Sequence, residues 1–110
     1  MKQREIWLVD LNPVKGSEQR GIRPVVIVSG NAMNDNLSIC IVCPLSSSIK
    51  GYNGCLILEK DVANGLNSDS EIITFQIRTV SAERLIRKIG TITTDQMEII
   101  RSGLRDILTY

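Results

Sequence analysis

The chain has no histidine at any of its 110 positions. That removes the usual general acid and base, the commonest zinc ligand, and every Ser-His or Cys-His nucleophile pair. Aromatic residues are scarce as well: one Trp, two Tyr and one Phe, 4% in all, leave little for extensive stacking of a ligand on the protein. No apolar stretch reaches the roughly 18 residues of a membrane span, and the opening M-K-Q-R-E-I-W lacks the apolar region of a signal peptide. The expectation is a cytoplasmic protein with no membrane association. Three cysteines, an odd number, fit reduced thiols better than a disulfide framework. Strong charge of one sign is missing too. The net charge is +1 and the pI is near 7.7, whereas a nucleic-acid-binding domain usually exceeds about 9. Any basic site must therefore be local.

What is present is the balance of one soluble domain spanning residues 1–110, with 43% hydrophobic and 23% charged residues. A chain of this size hides only about two-thirds of its unfolded surface, so further burial in a homodimer would help it. The order is strands first and one clear helix last. Strands are predicted at Glu5–Asp10, Pro24–Ser29, Leu37–Cys43, Cys55–Glu59 and Glu71–Thr79, with turn formers G-N-A-M-N-D-N after the second. Strands so short and apolar need closure or covering, which predicts a mainly β (α+β) fold, a small curled antiparallel barrel. Ser81 reads as the N-cap of a helical turn running to Lys88. Thr93 and Gln96 form a capping-box pattern, and Met97, Ile100, Leu104, Ile107 and Leu108 then make an apolar stripe. Gly103 within that helix points to close approach of another backbone.

Several motifs carry less than their spelling suggests. Cys40-Ile-Val-Cys43 matches C-x-x-C, but strand positions three apart face opposite sides, so buried thiols are expected rather than a metal knuckle. G-S-E-Q-R-G lacks the Gly-Lys-Ser/Thr of a phosphate loop and opens into a strand, not a helix. No metal or other cofactor is expected.

One stretch stands out. Lys15 to Pro24 reads K-G-S-E-Q-R-G-I-R-P and leads into the apolar V-V-I-V. Gly16 and Gly21 permit positive-φ geometry, so Ser17 to Arg20 can project as a mobile tip. Pro24 restricts Arg23 to extended backbone and anchors its guanidinium at a strand edge, where it can address a phosphate with paired N–H donors. A solvated hairpin loop has the same composition. The serines of Cys43-Pro-Leu-Ser-Ser47 read alone as turn residues.

The joint pattern is more specific. E-I-W-L-V-D-L-N-P-V-K-G-S-E-Q-R-G-I-R-P-V-V-I-V-S resembles the start of the MazF/PemK family of toxins of bacterial toxin-antitoxin systems. C-P-L-S, the K-G-Y at Lys50 to Tyr52, F-Q-I-R-T-V-S from Phe75 to Ser81 and the closing helix extend the similarity over the whole chain. The resemblance implies an SH3-like barrel, a homodimer, and ribosome-independent, metal-independent cleavage of single-stranded mRNA at a short sequence. It implies a catalytic arginine at Arg23 and a catalytic hydroxyl at Ser46, where the family has threonine, with Ser47 the neighbouring alternative. It also implies an antitoxin partner that lays an acidic, partly disordered segment over the basic groove. Two other classes remain: toxins of similar barrel that poison DNA gyrase by protein contact and need neither Arg23 nor Ser46, and non-enzymatic SH3-like binding modules, whose aromatic groove four aromatic residues fill poorly.

The residues suit the implied chemistry. RNA can be cut without metal or histidine when the ribose 2′-hydroxyl attacks the adjacent phosphate, leaving a 2′,3′-cyclic phosphate. The protein must then mainly stabilise charge, for which a fixed guanidinium and a hydroxyl donor serve. Free arginine has a pKa above about 12, which favours phosphate stabilisation over base catalysis for Arg23. Glu18 is either the base or an ion-pair partner of Arg20 or Arg23. Glu18, Gln19, Arg20, Ser47, Gln76 and Arg78 are the candidate RNA-binding residues, Gln76 and Arg78 being read as two apart on one strand face.

Overall fold

The computed structural model describes residues 1–13 and 15–109. Its order is β1 (Glu5–Asp10), β2 (Ile22–Ile27), α1 (Asn31–Asn36), β3 (Ile39–Ser46), β4 (Leu56–Leu58), β5 (Ser70–Ile72), a 3-10 turn at Thr74–Gln76, β6 (Arg78–Ser81), a 3-10 turn at Ala82–Arg84, β7 (Leu85–Thr91) and α2 (Thr94–Thr109). Among the described residues the strands form one seven-stranded antiparallel sheet, ordered β4-β5-β3-β2-β1-β7. One edge of β3 pairs with β2, and its other edge is shared, Ile39 to Val42 with β6 and Leu45 and Ser46 with β5. Of the expected curled antiparallel barrel with its closing helix, the antiparallel sheet and the helix are present, and β4 and β7 end the pairing path without joining each other.

The V-V-I-V run is apolar throughout because β2 and its exit are buried on both faces. Val26 and Val28 enter one core with Ile6, Cys43, Leu45, Leu58 and Ile72, which Met97 and Ile100 of α2 cap. Val25 and Ile27 enter a second with Val9, Leu11, Val42 and Val80. Alternation along the pleat sends neighbours to opposite cores. The same parity places Cys40 in the second core and Cys43 in the first, as buried thiols.

The capping box is formed at α2: Thr93 Oγ1 accepts the Gln96 N–H at 3.0 Å, and Gln96 Oε1 accepts the Thr93 N–H at 2.8 Å. Gly103 is buried, and a Cβ there would lie 2.2 Å from the Gly54 carbonyl oxygen. Leu108 departs from the expected buried stripe, standing 82% exposed where the helix outruns the core.

Three expectations need correction. Ser81 does accept the Glu83 N–H, at 3.4 Å, but the helical turn it opens ends at Arg84. Residues 85–91 are strand, because pairing with β1 satisfies their backbone along its length. The segment 71–79 is not one strand: the 3-10 turn at Thr74–Gln76 divides it. The stretch after Gly30 holds the short α1, with Asn34 buried against Ser29.

Candidate functional site

The polar loop between β1 and β2 is built on its two glycines. Gly16 has φ 60° and Gly21 φ 76°, and neither is crowded, so it is conformation rather than space that calls for glycine there. Glu18 Oε1 accepts the Lys15 N–H at 2.8 Å, and Arg20 Nη2 reaches back to the Gly16 carbonyl at 2.7 Å. Glu18 makes no ion pair with Arg20 or Arg23 among the described residues; its carboxylate closes the loop instead. The loop is also docked. Gln76 Oε1 accepts the Gln19 N–H at 2.6 Å, and Gln76 Nε2 donates to the Ser17 carbonyl at 3.4 Å. The freely projecting tip read from the two glycines is therefore held across the site by one glutamine.

Arg23 sits half-buried on β2, opposite Val9 of β1. Its Nε donates to the Arg20 carbonyl at 2.9 Å, and its two terminal nitrogens have no hydrogen-bond partner among the described residues. Anchoring one nitrogen while leaving the planar fork unpaired suits a guanidinium that must meet an anion. Arg23 and Ser47 line a cleft of about 470 Å³ with Leu8, Pro24, Arg87 and Lys88.

Ser46 is buried, and its Oγ accepts the Ser48 N–H at 3.1 Å, which leaves its own proton free to donate. The pairing of Val25 with Pro44 puts Arg23 and Ser46, each two residues further along the same ladder, on one face of the sheet. Ser46 lines a separate cleft of about 110 Å³ with Gln19, Lys50, Tyr52, Phe75 and Gln76. Glu18, Gln19, Gln76 and Arg78 meet in a third, of about 190 Å³. Gln76 and Arg78 do not share a strand face; they converge because the 3-10 turn ends where β6 begins. Arg20 lines none of these clefts and stays on the loop.

Three groups were not found by sequence reasoning. Arg87 and Lys88 join Arg23 on the large cleft, and reading 81–88 as a helix hid them. Lys88 Nζ is 3.1 Å from Glu5 Oε2. Burial works to raise the Glu5 carboxyl, but the Lys2 N–H, the Trp7 indole and Lys88 together hold it below its ordinary value. Glu71 is fully buried, with Oε1 accepting the N–H of Lys50 at 2.8 Å and of Gly51 at 3.2 Å, and Oε2 that of Tyr52 at 2.8 Å. Its donors lie about twenty residues away, so no local spacing signals the pairing.

The comparisons with known proteins agree on one family. The pattern of the PemK-like, MazF-like toxin of type II toxin-antitoxin system matches residues 2–108. Endoribonuclease MazF9 of Mycobacterium tuberculosis is 32% identical over 110 residues, covering 96% of this chain and 93% of that protein. The crystal structure of MazF from Deinococcus radiodurans superposes with a TM-score of 0.85 at 20% identity, covering 100% of this chain and 97% of the other. An endoribonuclease in complex with its cognate antitoxin from a mycobacterial species gives 0.81 at 19% identity, over 98% and 94%. These two structures share the fold.

Proposed function

The chain belongs to the PemK-like, MazF-like toxins of type II toxin-antitoxin systems, and from that premise we propose that it is an endoribonuclease cutting single-stranded mRNA at a short sequence without a metal. The observation that carries this reading is Arg23: half-buried, anchored through Nε, with an unpaired fork beside a cleft that also holds Arg87 and Lys88. In the proposed step the ribose 2′-oxygen attacks phosphorus and loses its proton, the bond from phosphorus to the 5′-oxygen breaks, and that oxygen takes a proton. A 2′,3′-cyclic phosphate and a 5′-hydroxyl result, with no water consumed. Arg23 stabilises the charge on the crowded phosphorane, and the Ser46 O–H donates to a phosphate oxygen. Gln19, Gln76 and Arg78 contact the RNA strand from the smaller clefts, with Ser47 on the large one. Glu18 closes the recognition loop, and Arg20 supports it by holding Gly16.

The protein acts as a cytoplasmic homodimer, and exposed apolar side chains such as Ile22, 64% accessible, offer surface for the contact. Its partner is an antitoxin whose acidic, partly disordered segment competes for the cations of the large cleft. The test is incubation with defined single-stranded RNA in EDTA, comparing Arg23→Ala and Ser46→Ala. Sequence-specific fragments with cyclic phosphate ends, lost in both variants, are expected. Intact RNA from a protein still toxic to cells would overturn the reading in favour of a gyrase target.

A further inference from the structure

We propose that the cleft beside Ser46 is a subsite for one unstacked nucleobase, walled by Tyr52 and Phe75, and that the buried carboxylate of Glu71 is the positioning residue that holds it in shape. The inference rests on the RNA-cleaving reading and adds to it a recognition element.

Two of the chain's four aromatic side chains meet here. The rings of Tyr52 and Phe75 stand edge to face, 5.0 Å between centroids at 89°. Both are unusually exposed for such groups, Tyr52 at 44% and Phe75 at 49%. An aromatic pair that gained its stability only from burial would be turned inward; this one presents ring surface to solvent on the wall of a cleft. Around it are groups that can hydrogen-bond a base edge: the amides of Gln19 and Gln76, the hydroxyl of Ser48 and the Lys50 ammonium. Gln19 Oε1 is buried where the two smaller clefts meet and has no partner among the described residues. A volume of about 110 Å³ suits one planar ring system and not a folded strand. Ser46, on the same cleft, sets the base next to the phosphate that this hydroxyl addresses.

Glu71 explains how so exposed a wall keeps its form. A carboxylate that is 0% exposed, in the middle of a sheet, is costly unless its acceptors are filled. They are filled by three successive backbone N–H groups, Lys50, Gly51 and Tyr52, in a turn that Gly51 enters at φ 71°. Such a run of N–H groups is a ready anion nest, and here the chain supplies the anion itself. On the sheet Glu71 pairs directly with Ser46. One side chain therefore links the strand bearing the hydroxyl to the turn bearing Lys50 and Tyr52.

The experiment uses the full-length protein and a fluorescein-labelled single-stranded RNA made with 2′-methoxy sugars, which binds but cannot be cut by 2′-hydroxyl attack. Each base is removed in turn and affinity is read by anisotropy, while cleavage of the unmodified strand is measured separately. Wild type is expected to lose about 10-fold or more in affinity on removal of one base, the scale of stacking on an aromatic side chain. Phe75→Ala, at an exposed position, loses the sensitivity at that base and keeps it elsewhere. Glu71→Gln does the same, and hydrogen exchange at Lys50 to Tyr52 speeds up. An unchanged base-removal profile in Phe75→Ala, from a protein that cuts RNA, overturns the subsite and leaves the activity standing. Position-specific loss in a protein that binds RNA uncut supports the subsite and overturns the cleavage. Undiminished protection of Lys50 to Tyr52 in Glu71→Gln overturns the positioning role.

Discussion

Replacing Gly103 with alanine should destabilise the fold, against the direction that helix propensity alone dictates. Alanine in a helix interior is favoured over glycine by about 1 kcal/mol. The Cβ added here, however, falls 2.2 Å from the Gly54 carbonyl oxygen and 3.2 Å from its carbonyl carbon. A carbon sits comfortably at about 3.3–3.6 Å from such an oxygen, so about 1 Å must be found. The Gly54 turn does not yield it freely, because its φ is 81° and its carbonyl accepts the Thr74 hydroxyl at 3.4 Å. Moving α2 instead withdraws Met97 and Ile100, both essentially fully buried, from the first core. Overpacking of this kind costs about 1–3 kcal/mol. At its upper end, after subtracting the propensity gain of about 1, a net loss of about 2 kcal/mol remains. In urea, with a slope of about 1–3 kcal/mol per molar, the midpoint drops by about 1 M. Urea titration of both proteins at one fixed concentration, so that association is held constant, checks it. A midpoint equal to or above wild type would refute the steric argument.

Arg23→Lys keeps a positive charge but loses the Nε anchor to the Arg20 carbonyl and the paired fork; RNA cleavage rate is expected to fall about 100-fold or more, with the thermal midpoint nearly unchanged. Burial, with Cys55 nearby, pushes the Cys43 thiol up to about 12, and burial also raises Cys40. A maleimide added to native protein near neutral pH should therefore modify the half-buried Cys55 first, with Cys40 and Cys43 labelled only on unfolding, as mass spectrometry will show. Glu5 titrates below its ordinary 4.5 in the folded state, so its stabilisation is present above that value and is lost as pH falls through the folded pKa. The stability difference between wild type and Glu5→Gln should shrink over that acid range and stay flat near neutrality. Association with an acidic antitoxin segment should slow as salt rises; a salt-independent rate would count against the basic cleft as its docking site.

How much of this was legible in the sequence depended on whether the deciding contact was local. The Thr93 and Gln96 box was readable because each partner lies three residues from the other. V-V-I-V could be read as a deeply buried strand from its lack of polar alternation, and the two cores account for that lack. Cys40 and Cys43 were placed by pleat parity alone. The misreading of residues 85–88 as helix arose because the local signal was true but short. Ser81 does cap a turn, yet the register of Leu8 with Arg87 and Trp7 with Lys88 is set by a strand nearly eighty residues earlier. With the helix reading went the two cations of the large cleft. Tyr52 and Phe75 likewise stood in two separate motifs until the fold brought their rings together.

The position of the polar loop ahead of the buried V-V-I-V run follows from the geometry of its ends. Pro24 pairs with Leu8, and beyond it Val25, Val26 and Ile27 are fully enclosed, so Arg23 is the last residue of β2 before the solvent that is fixed by both sheet pairing and burial. A guanidinium placed deeper along the strand would need a buried counter-ion; one placed on the loop, as Arg20 is, turns back on that loop and gives its Nη2 to the Gly16 carbonyl. At position 23 the backbone is rigid and the fork is still wet. The loop in turn is held by Gln76, and Gln76 borders the cleft at Ser46. Loosening that single glutamine would therefore release the polar loop and open the Ser46 cleft together, while the backbone of Arg23, paired with Val9 of β1, stays in place.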